Sequence, residues 1–174
     1  MRFPNDDNKK TPAKTVALCG VLTALALGFS YVEFLIPFAI PIPGAKLGLA
    51  NLITLTGLYF LTPLETLAIL IARILLSGFM FGNLSTIIYS LAGGLLSFFV
   101  MFIIKKTGLL SVTGISMIGG VFHNIGQLLI ACLILQNPAP VIYLPYLIII
   151  GTLAGGLMGL LSKIICTTVD RYGL

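Results

Sequence analysis

The sequence predicts an all-α integral membrane bundle of six transmembrane helices with both termini cytoplasmic. Three observations predict it. The chain is 58% hydrophobic and only 9% charged, where a soluble domain carries roughly 25% charged residues. Its mean hydropathy is +1.12. Its 174 residues hold about six spans of roughly 20 apolar residues with short connections, and leave no room for a separate water-soluble catalytic domain.

The elements follow in order. Residues 1–13 form a polar tail, in which Pro4, Pro12 and the charges oppose ordered helix. The first span covers 15–36. Its apolar stretch is longer than the core of a cleaved leader, so it reads as a retained helix. Pro37, Pro41, Pro43 and Gly44 then break the chain. The loop FAIPIPGAK (38–46) is apolar enough to lie on or in the bundle. The second span, 47–61, is short. Thr62-Pro63 ends it, and proline suits the first position of a third helix over 64–81. Gly82-Asn83 marks a turn. The fourth span, 84–104, stops at Lys105-Lys106, and the fifth covers 112–135. Gln136-Asn137-Pro138-Ala139-Pro140 makes a connection, and the sixth span covers 141–166. The transmembrane domain is thus 14–168, between tails at 1–13 and 169–174.

Charge orients these spans. With the N-terminus inside, Arg2, Lys9, Lys10, Lys14, Lys105, Lys106, Lys163 and Arg171 share the inner face. These are eight of the ten basic residues, as retention of positive charge on the cytoplasmic side requires. An odd number of spans would divide the lysine clusters. The net charge of +5 is therefore topological, and nucleic-acid binding is not expected. Cys19, Cys132 and Cys166 lie in apolar runs without metal-ligand spacing. His123 is the single histidine, so an imidazole-built metal site is not expected. Nor is a cofactor.

Small residues recur at helical spacing. Ala13, Ala17, Gly20, Ala24 and Gly28 fall on one face of the first helix, and Gly151, Gly155 and Gly159 on one face of the sixth. Such stripes let helices approach closely where lipid supplies no hydrophobic drive. Two readings stay open: packing within this bundle, or docking to a separate membrane subunit.

Strongly polar residues inside a membrane cost about 2.5–3.5 kcal/mol each on insertion scales, so they mark candidate function. Glu33, Lys46, Asn51, Arg73, Asn83, His123, Asn124 and Gln127 all fall in the outer half of the oriented spans. An outward-open pocket follows, with cations that favour an anionic or zwitterionic ligand. Each residue also has a structural reading. Arg73 would pair with Glu33, Lys46 would snorkel, and the amides would bond neighbouring helices.

Four runs carry a family resemblance: PGAKLGLANLITL (43–55), RILLSGFMFGN (73–83), YSLAGGLLS (89–97) and GGVFHNIGQL (119–128). On these the chain resembles the Gx transporter family, also labelled heptaprenyl diphosphate synthase component I, over about 14–166. That family is similar to the S-components of energy-coupling factor transporters. The resemblance implies a six-helix, S-component-like protein of the bacterial cytoplasmic membrane. Such a protein captures a small ligand, vitamin-like or anionic, from outside. It relies on a transmembrane coupling subunit and ATPases for energy. The S-component AxxxA docking motif matches Ala13 and Ala17 in spacing. The synthase label fits poorly. Prenyl diphosphate synthases use aspartate-rich motifs, whereas Asp6, Asp7 and Asp170 lie in the tails and no DDxxD exists. An enzyme is not expected. A non-catalytic subunit of heptaprenyl diphosphate or quinone synthesis, and a scaffold subunit of a membrane redox complex, stand as alternatives.

Overall fold

The structure, a computed structural model, describes residues 12–35 and 48–172. In chain order the elements are α1 (Pro12–Leu35), α2 (Asn51–Phe60), α3 (Pro63–Met80), α4 (Leu84–Thr107), α5 (Val112–Leu135), a 3-10 turn (Ala139–Tyr143) and α6 (Leu144–Tyr172). No strand occurs among the described residues. The expected loop 38–46 lies outside them, as does Lys46.

Local chemistry sets the helix ends. Pro12 opens α1 slightly ahead of the expected start. Thr62 and Glu65 form a reciprocal capping box around Pro63 at the head of α3. Asn83 caps α4 and Ser111 caps α5 through side-chain oxygens. Gly108, at φ 67°, ends α4 one residue after Thr107, so Lys105 and Lys106 belong to its last turn.

Among the described residues, five helices are long and apolar enough to cross a membrane. Their outward faces carry Leu, Ile, Val and Phe, with Leu133 72% and Leu153 68% exposed, where a water-facing surface would be polar. The chain is therefore a multi-pass membrane protein. The second expected span departs from this pattern. Instead of crossing over 47–61, α2 has 10 residues, about 15 Å at ~1.5 Å per residue. That is half of a ~30 Å hydrocarbon core. Eight of those residues, Asn51 to Leu58, are buried, so α2 is an interior half-helix with no lipid-facing stripe.

The other helices form an arc in the order α1, α3, α4, α5, α6, and α2 sits inside it against all five. The start of α1, the end of α2 and the end of α6 meet at one end. Leu18 and Cys19 pack near Leu61, and Thr56 of α2 is 3.0 Å from Ser162 of α6. Lys14, Lys105, Lys106, Lys163 and Arg171 lie toward this basic end. At the far end Tyr31 and Phe34 of α1 pack on Phe81.

The two small-residue stripes have different roles. On α6, a Cβ at Gly155 would run into the Ser116 carbonyl, and one at Gly159 would stand 2.7 Å from Thr113 Cα. This stripe packs α6 on α5. On α1, Ala13, Ala17, Gly20, Ala24 and Gly28 are all exposed, and a Cβ on Gly20 or Gly28 meets nothing within 4 Å. Packing within the described bundle accounts for the first stripe only. Gly155→Ala should thus overpack the α5–α6 interface and cost about 1–3 kcal/mol, while Gly20→Ala should leave stability unchanged or slightly raised. Thermal unfolding in detergent, followed by circular dichroism, checks the contrast.

Candidate functional site

Six of the eight polar residues singled out in the sequence are buried. Exposure is 6% for Glu33, 7% for Asn51, 4% for Arg73, 2% for His123, 3% for Asn124 and 2% for Gln127. Asn83 stays apart, exposed at the far end. Its Oδ1 accepts from Thr86 N at 2.9 Å and from Thr86 Oγ1 at 3.0 Å, which completes the cap of α4. Lys46 lies outside the described residues.

The buried residues form a layer near mid-depth, at the head of α2. Glu33, late on α1, accepts a hydrogen bond from the Gly48 amide at 2.5 Å. Gly48 has φ +81°, a left-handed conformation that costs a side-chain-bearing residue roughly 1–2 kcal/mol. The turn it makes feeds directly into α2, where Asn51 N bonds back to Gly48 O at 2.9 Å. A Cβ on Gly48 would stand 3.1 Å from Asn51 Nδ2 and 3.3 Å from His123 Cδ2. Glu33, Gly48, Asn51 and His123 therefore meet at one point, contributed by α1, the turn before α2, α2 and α5.

Arg73 enters the same layer from α3. It interacts electrostatically with Glu33. Its Nε and one terminal nitrogen have no hydrogen-bond partner among the described residues, and neither does Asn51 Oδ1. A buried guanidinium normally engages most of its five donors, so this one retains donor capacity.

Glycines on α4 bring the layer together. A Cβ on Gly93 would come within 2.7 Å of the His123 carbonyl oxygen, and one on Gly94 within 3.2 Å of Leu70 and Ile74 and 3.8 Å of Arg73. The pair gives α5 one side of α4 and α3 the other. On α5, Gln127 Nε2 stands 3.1 Å from His123 Nε2, so the amide donates to the ring nitrogen. Asn124 turns away and donates to Leu147 O of α6 at 2.8 Å. Its role here is helix-to-helix bonding.

Sequence reasoning missed four contributors. The Gly48 amide is a backbone donor with no side-chain signal. Gly93 and Gly94 act through the volume they leave free. Lys105, read as a topological charge, donates to Leu58 O in the last turn of α2 and lies 4.6 Å from the Tyr59 ring. It satisfies the carbonyl end of the half-helix. Among the described residues no three His, Cys, Asp or Glu side chains come together as a metal set.

Gly48→Ala should strain the turn and displace Asn51 and His123, lowering stability by about 1–2 kcal/mol. Circular dichroism melts of the variant against the parent chain measure it, and an unchanged melting temperature would remove the turn from the site.

A sequence model of the family described as heptaprenyl diphosphate synthase component I matches residues 22–165, as the motif resemblance implied. No curated protein and no solved structure matches the chain.

Proposed function

The chain belongs to the heptaprenyl diphosphate synthase component I family, also called Gx transporter-like, and from this membership and the polar layer we propose a membrane substrate-binding subunit for an anionic small molecule. The observation that carries the reading is Arg73. It is 4% exposed, with two guanidinium nitrogens lacking a hydrogen-bond partner among the described residues. A buried cation with unused donors is costly unless a further acceptor comes to it. The acceptor of matching geometry is a carboxylate or phosphate, which takes guanidinium donors in pairs. Asn51 and His123 flank the position.

In this reading the protein captures its ligand from the outer side of a bacterial cytoplasmic membrane, as an S-component does, and depends on a partner for energy. The basic end, with Lys105, Lys106, Lys163 and Arg171, faces the cytoplasm. The exposed stripe on α1 supports a docking role for Ala13, Ala17, Gly20, Ala24 and Gly28, because no described residue covers it. A transmembrane coupling subunit with ATPases is the expected occupant. In this reading the chain carries no catalytic step, because its aspartates, Asp6, Asp7 and Asp170, form no DDxxD motif in the sequence.

Native mass spectrometry of the gently extracted protein should show a retained small acid. Arg73→Leu should lower its occupancy roughly 10–100-fold, the equivalent of about 1.5–3 kcal/mol for a charge-assisted contact. Equal retention in the variant would refute the assignment of Arg73. The docking face is tested separately. Gly20→Leu with Gly28→Leu should reduce recovery of a membrane partner from native membranes while leaving the melting temperature in place. Undiminished recovery would exclude the stripe.

A further inference from the structure

Glu33 presents a difficulty for an anionic ligand. Its carboxylate already accepts from the Gly48 amide and already interacts electrostatically with Arg73. The Gly48 amide opens the turn into α2, so it stands at the positive end of a ten-residue helix dipole. Arg73 and this helix head are together the natural place for an acidic group, and a residue of the chain occupies it. A ligand acid added beside an ionised Glu33 would place two negative charges around one buried guanidinium. In such a like-charge pair, away from water, one member takes up a proton.

We propose, building on the binding role above, that Glu33 is a resident anion in the ligand's acidic subsite. Ligand binding then requires Glu33 to take up one proton. The balance is simple. Before binding, Glu33 carboxylate and Arg73 sum to zero charge. After binding, a singly charged ligand acid and Arg73 sum to zero (doubly charged sulfate and Arg73 leave one net negative charge, which makes an ionised Glu33 more unfavourable still), and Glu33 is a neutral carboxylic acid whose proton came from the aqueous phase. The neutral acid no longer competes for Arg73. Its O–H becomes a donor and its remaining carbonyl is a weaker acceptor than the carboxylate, so the Gly48 amide turns to the charged ligand.

Few other groups near Glu33 titrate. Arg73 faces it from α3, and His123 of α5 lies beyond Gly48. In α2 the titratable side chain is Tyr59, next to Lys105 at the opposite end. In α4, Tyr89 packs with Leu128 and Leu147 instead. Next to α1's own Glu33, Tyr31 packs on Phe81. Among the described residues His123 is therefore the competing proton acceptor.

Sulfate is a suitable probe, because it does not titrate between pH 5 and 8 and any pH dependence then belongs to the protein. Calorimetry on the purified full chain in detergent should show sulfate affinity rising as pH falls, by up to about tenfold per pH unit. Glu33→Gln removes the competing charge. It should bind sulfate at least about tenfold more tightly at pH 8 and with no pH slope. Glu33→Asp keeps a titrating acid but withdraws it by one methylene. It should keep the slope and bind more tightly than the parent, which tests the idea should Glu33→Gln not fold. Arg73→Gln should lose binding at every pH. Equal affinity and slope in the parent and Glu33→Gln would overturn the resident-anion role and leave the anion-binding role standing. So would a slope abolished by His123→Asn but kept in Glu33→Gln. No sulfate binding by the parent or Glu33→Gln at any pH, or binding indifferent to Arg73, would overturn both.

Discussion

The carboxylate of Glu33 on the Gly48 amide is the contact on which the rest of the arrangement depends. A half-helix inside a membrane exposes unsatisfied backbone groups at both ends, each costing several kcal/mol in hydrocarbon. At the head of α2 the amides of Asn51, Leu52 and Ile53 bond back to Gly48, Leu49 and Ala50 of the preceding turn, and that turn is itself held by a side chain from another helix, with the Gly48 N–H donating to Glu33. At its tail the remedy is also borrowed, as Lys105 of α4 donates to Leu58 O. Acid at the head and base at the tail are the signs that complement a helix dipole. α2 is thus held by charges from α1 and α4 as much as by the apolar side chains of its own faces.

From this constraint the position of the polar layer follows. α2 fills the half of the bundle toward the basic end, where Leu55 and Leu58 pack with Leu70, Phe98, Met101 and Ile115. Its head ends near mid-depth, so the groups that satisfy it must be buried there too. A lone Glu33 at that depth would be prohibitive. Arg73 offsets its charge, and Gly93 and Gly94 let α5 and α3 close around α4 near enough for His123 and Arg73 to share the level. The residues that stabilise the broken helix are the residues that an anionic ligand would meet. Structure and binding draw on the same charges.

Much of this was legible in the sequence, for identifiable reasons. The long spans were readable because lipid imposes one length and one composition on every crossing helix, and Pro63 marked the head of α3. The capping box of Thr62 and Glu65 at that head emerged from the structure, and it explains a glutamate near a helix start without invoking function. The polar layer was foreseeable as a set of scarce residues, since each is expensive. What could not be read was which of them meet. Asn83 and Asn124 carry the same amide as Asn51, yet one caps a helix and one bonds α6. The choice rests on facing, which depends on how α4, α5 and α6 approach. The half-length of α2 was visible as a short apolar run, but its burial on every side depends on five neighbours. Lys105 looked like a charge at a membrane face because the carbonyl it serves belongs to a helix 47 residues earlier.

The position of α1 in the arc gives the arrangement a direction. It is the least buried of the membrane-spanning helices, and its buried residues are Ala26, Ser30 and Glu33, on one face. The small-residue stripe lies on exposed positions of the same helix. One loosely held helix therefore carries both the acid at the head of α2 and the surface proposed for a partner. Any contact that shifts α1 along or about its axis moves Glu33 relative to Arg73 and Gly48, since the helix is a rigid rod over that length. The same lever works in reverse: an acid that takes Glu33's place at Gly48 removes the hydrogen bond that ties α1 to the turn ahead of α2. Ligand and partner would then be linked through the free energy of that single hydrogen bond and its charge, and linkage of this kind is reciprocal by thermodynamic necessity.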